Sequence, residues 1–72
     1  MTIITKETFT NEIEIQVMDT KKSKRILKQA LIKAFGKEQG EYLNDYAVIF
    51  DGSYTSSIVL NKSNANDLLQ VL

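Results

Sequence analysis

The sequence predicts an α+β fold, a two-layer sandwich of order ββαββα in which a mostly antiparallel four-stranded sheet carries one long and one short helix. Three observations lead there. Apolar and polar residues alternate from 12 to 18, apolar residues recur at helical spacing from 21 to 35, and Asp51-Gly52 separates two apolar runs as a tight hairpin turn does. All 72 residues read as one domain, 1–72, with no proline, repeat or linker-like stretch to divide them.

Residues 3–9 are rich in Ile, Thr and Phe and read as a first strand, ended by a turn at Asn11. From 12 to 18, Ile13, Ile15 and Val17 point one way and Glu12, Glu14 and Gln16 the other, so this strand has one buried face. Asp19 or Thr20 supplies the oxygen that caps a helix over 21–35. Ile26, Leu27, Ala30, Leu31, Ala34 and Phe35 line one side of that helix, and Gly36 stops it.

Residues 37–45 read as a connection, with at most a short turn of helix around Tyr42 and Leu43. Strands at 46–50 and 54–60 then flank the Asp51-Gly52 turn, which places Asp45 and Asp51 in turns and the tyrosines at the rim of the core. Ser63 or Asn64 caps a last short helix carrying Leu68, Leu69, Val71 and Leu72. Val48-Ile49-Phe50 and Ile58-Val59-Leu60 are unbroken apolar triplets, so both faces of this second hairpin need cover. Cover from within the chain is the simpler expectation, and a homodimer through the second hairpin is the alternative.

Composition removes most catalytic chemistry. A chain this short buries only about 60% of its unfolded surface, so small scaffolds lean on disulfides, metals, association or tight packing. Cysteine and histidine are both absent, which takes away disulfides, thiolate sites and the commonest zinc ligand together. The serines have no histidine to activate them, and the neighbours Ser23-Lys24 and Lys62-Ser63 have ordinary roles on a helix and at a cap. Glu12 and Glu14 share a strand face, but it is the solvated one, where carboxylates keep ordinary behaviour. The run Gly36-Lys37-Glu38-Gln39-Gly40 lacks phosphate-loop spacing and follows a helix, so it reads as a C-cap and a loop. The Asn-rich run from 61 to 67 lacks calcium-loop spacing. The expectation is a non-enzymatic protein without cofactor or metal. No run reaches the roughly 18 apolar residues of a membrane helix, and no signal peptide is evident, so no membrane partner and a cytoplasmic location are expected.

Charge carries the functional signal. The formal net charge is zero, yet residues 21–37 hold seven basic side chains and no acidic one, against two basic and nine acidic in the rest. On a helical wheel the face opposite the apolar stripe carries Lys21, Lys22, Arg25, Lys28, Gln29 and Lys33, with Ile32 in its middle and Lys24 at its border. Cations in the first turns oppose the helix dipole, and like charges at i,i+3 and i,i+4 repel, so the pattern is locally unfavourable. Such violations are expected where function overrides stability. The face is therefore expected to dock an acidic protein partner over residues 21–33, with Ile32 as its apolar anchor. Nucleic-acid binding through the same helix is the alternative, opposed by the acidic remainder of the chain. A plainly solvated face, balanced by those acids, is the plainest reading against which both stand, and self-association is a further one. Length, charge segregation and missing catalytic residues suit small accessory or inhibitor proteins such as those of phages and mobile elements.

Overall fold

The computed structural model describes residues 2–18, 20–50 and 55–72. Strands β1 (Ile3–Glu7) and β2 (Glu12–Met18) form the expected first hairpin, and helix α1 (Lys21–Phe35) has the expected bounds. The chain then departs from expectation. Helix α2 (Lys37–Tyr46) occupies the whole stretch read as a connection, 37–45, and the first residue of the strand that was to follow. It leaves β3 only two residues (Ile49–Phe50), before β4 (Thr55–Asn61) and helix α3 (Lys62–Val71) complete the chain.

The expected order ββαββα, with a four-stranded sheet and two helices, is thereby corrected. Three antiparallel strands in the order β1-β2-β4 make the sheet, and the two-residue β3 merely pairs with Ser56 and Ser57 at the edge of β4. There are three helices, and two of them follow one another directly. The physical reason lies in Gly36 and Gly40, which look like breakers in the sequence. Gly36 has φ +91° and ψ 163°, a region essentially reserved for glycine, so it ends α1 and serves as N-cap of α2 at one point. Its amide donates to Ile32 O (2.8 Å), and its carbonyl accepts from Gly40 N (2.7 Å).

Helix α1 packs on β2 and α3 on β2 and β4, while α2 packs on α1, which thus touches both other helices. Alternation decides which side chains meet them. Ile15 and Val17 of β2 and Ile58 and Leu60 of β4 face inward, onto Leu27, Ala30 and Leu31 of α1 and Ala65 and Leu68 of α3. Val48 joins this core, with Leu43, Ala47 and Phe35 packed at its margin. Each fully buried Leu or Ile contributes about 1.5–3 kcal/mol, so these few residues carry most of the stability of a small domain. Among the described residues no buried side-chain polar atom lacks a partner.

Several local expectations hold and several are revised. Thr20 caps α1, its hydroxyl accepting from Ser23 N at 3.1 Å. Asn61, rather than Ser63 or Asn64, caps α3, its side-chain oxygen accepting from Asn64 N at 2.8 Å. The strand hands over to the helix within one residue, because extended Asn61 both ends β4 and offers the cap. Asp45 belongs to α2 instead of a turn. Asp19, the Asp51-Gly52 turn and Tyr54 lie outside the described residues. The outer sheet face stays open: Ile49 and Val59 of the second hairpin are exposed there, as are Ile4 and Met18, so the chain's own helices cover only one side. No helix among the described residues is long and apolar enough to cross a membrane.

Candidate protein-docking surface

Helix α1 turns its stripe of Ser23, Leu27, Ala30 and Leu31 into the molecule, and this fixes what it presents outward. Lys21, Arg25, Gln29 and Lys33 follow at i,i+4 intervals, one per turn, as an exposed ridge. At about 1.5 Å per residue the ridge runs roughly 18 Å. Lys22 stands on one flank and Lys28 on the other, both exposed.

Electrostatically the ridge is uncompensated. No acid occupies the first turn of α1, although three lysines and an arginine lie within its first five residues. Among the described residues Lys21, Lys22, Arg25, Lys28 and Lys33 form no ion pair with any acid. Elsewhere an ion pair joins Lys62 Nζ to Glu7 Oε1 at 3.1 Å, at the junction of β1 and α3. An unpaired cationic ridge in water offers charge-assisted hydrogen bonds to carboxylates or phosphates.

Six of the seven expected contact residues are thus brought to one exposed face. The seventh is not. Ile32 is half-buried, because α2 crosses α1 at this point and Gly40 sits directly against the Leu31–Ile32 backbone. It lies where the two helices cross and is no exposed anchor in a basic ring. The wheel of α1 alone placed it among the cations; the partner helix could not be foreseen from a stretch with so few apolar residues.

Two features escaped the sequence reading. Tyr42 and Tyr46 are exposed and lie ring against ring, with centroids 5.1 Å apart, whereas the core rim was expected. Gly40 marks the side of α2 that meets α1, so Tyr42, about 200° further round, faces away from it. The pair is a separate patch, and its i,i+4 spacing was a signal only once α2 was known to be a helix. The second feature is Phe9, which stands clear of the molecule at the tip of the first hairpin. The glycine run 36–40 also opens a helix after all, as the N-terminal turn of α2, but with no phosphate-loop spacing.

No family model, curated protein or solved structure matches the chain, so its surface is interpreted from its own chemistry.

Proposed function

We propose that the chain is a small non-enzymatic accessory or inhibitor protein, of the kind phages and mobile elements encode, working in the cytoplasm. It docks an acidic protein partner on the α1 ridge. What carries the reading is the set of five exposed cations without a single paired acid among the described residues. Contact runs through Lys21, Arg25, Gln29 and Lys33, flanked by Lys22 and Lys28. Carboxylates of the partner complete these cations, speeding the encounter and fixing its register.

Nucleic acid is the competing occupant of the same ridge. Glu38, Glu41 and Asp45 on the adjoining α2 oppose a polyanion that would lie along both helices. Paired capture from cell extract tests the proposal, using the wild-type chain and Arg25→Glu/Lys28→Glu. The same nuclease-treated protein should be retained by the first and lost by the second; equal retention contradicts the proposal. Duplex or single-stranded nucleic acid bound at low salt, with log K falling against log salt at a slope of roughly −4 to −5, assigns the ridge to phosphates instead.

A further inference from the structure

We propose that the chain forms a twofold dimer in which Phe9 of each copy enters the groove between β1 and α3 of the other. Phe9 is 111% exposed relative to an extended reference, so its ring adds nothing to its own core. The turn that carries it is nevertheless firmly built. Asn11 N donates to Thr8 O (3.2 Å), Thr8 N to Glu12 O (2.9 Å) and Glu12 N to Thr8 Oγ1 (3.1 Å). Asn11 takes φ +63°, the left-handed position that follows a type I turn in a three-residue hairpin loop. A ring held out on such a turn loses little freedom on docking, which is how an anchor residue is preorganised.

The groove lies at the same end of the molecule. Helices α1 and α3 bury Ile15 and Val17 between them, while the inner side of β1 is exposed at Thr5 and Glu7. The resulting shallow, open groove spans about 550 Å³, with Ile13 and Ala65 at its floor, Leu69 exposed beside them, and Thr5, Glu7, Lys62, Ser63 and Asn66 around it. Its apolar floor offers an aromatic ring a surface to lie on. Glu7 belongs to the rim and is two residues from Phe9, so knob and groove adjoin. That adjacency is what an isologous contact needs: one rotation seats both rings at once and closes the assembly at two copies.

The exposed ring and the apolar groove belong to the same chain, so a second copy supplies both halves of the contact. Glu7 and Lys62 at the rim already pair with each other at 3.1 Å and leave no net charge there. The chain's zero net charge sets up no overall repulsion between copies. Glu7 and Glu12 flank the tip and oppose an anionic lipid surface.

Sedimentation equilibrium over a wide concentration range tests this. Wild type should reach a dimer, and Phe9→Ser should raise the dissociation constant at least tenfold while its circular dichroism stays that of wild type. The chain has no cysteine, so Thr10→Cys and Asn66→Cys proteins, mixed and oxidised, should give the mixed disulfide in preference to either symmetric one. A wild-type monomer at all concentrations overturns the proposal. So does a dimer that Phe9→Ser leaves intact and Ile49→Ser/Val59→Ser dissolves.

Discussion

A Cβ added to Gly40 would stand 2.5 Å from the Cα of Ile32, closer than real atoms approach. This contact between two backbones joins α2 to α1, and it turns two sequence features around. A glycine that looks like a helix breaker is a packing residue, and an isoleucine that looks like an exposed anchor is its partner.

Gly40→Ala should therefore destabilise the protein. On an isolated helix alanine would gain about 1 kcal/mol over glycine. Here the methyl meets backbone, which cannot swing aside, and overpacking of this kind costs roughly 1–3 kcal/mol or more. Urea denaturation should show a lower midpoint; a raised midpoint would mean that α2 does not lie on α1.

Gly36→Ala tests a different cost. Nothing lies within 4 Å of an added Cβ, so the penalty is purely that of φ +91°, of order 1–3 kcal/mol. Gly36→Asn should not rescue it, because ψ 163° lies outside the left-handed helical region that asparagine tolerates. Thermal melting of both variants is the check, with two comparable drops expected.

Thr20 sits where a single change can act in either direction. Thr20→Ala removes the acceptor for Ser23 N and should cost about 1 kcal/mol. Thr20→Asp keeps the acceptor and sets a negative charge beside Lys21, Lys22 and Lys24, for a gain of about 0.3–1 kcal/mol. The gain should shrink in 1 M salt, where charges are screened within about 3 Å. A gain that survives salt would belong to the hydrogen bond alone.

The parts of the fold visible in the sequence were those with a period. The alternation in β2 and the stripe of α1 each state which face is buried, and both elements keep their expected bounds. Helix α2 was not visible because it buries so little: Gly40 is its one fully buried residue, and its contact is made by a missing side chain. The candidate site was legible to the same degree. Charges on a solvent face follow from the wheel of one helix, but Ile32 depended on a second helix that the pattern did not announce. Phe9 was read into the first strand and the tyrosines at the core rim, because the exposure of an aromatic is a tertiary fact.

The ridge itself should be separable from stability. Lys21, Arg25 and Lys33 are exposed and make no ion pair among the described residues, so reversing them removes no native interaction. Lys21→Glu should even relieve the helix dipole by a few tenths of a kcal/mol, roughly. Ile32→Asp, by contrast, would press a carboxylate against α2 and should unfold the helix pair in a thermal melt.

The central claim is that an acidic protein completes the unpaired cations of α1. Its most direct test is calorimetric titration of the captured partner, once purified, into the wild-type chain and into Lys21→Glu/Arg25→Glu/Lys33→Glu. Affinity should fall at least about tenfold for the variant, with an unchanged melting temperature and a wild-type affinity that weakens as salt rises. Equal affinity for the two folded proteins would contradict the claim and leave the α1 ridge a solvated face.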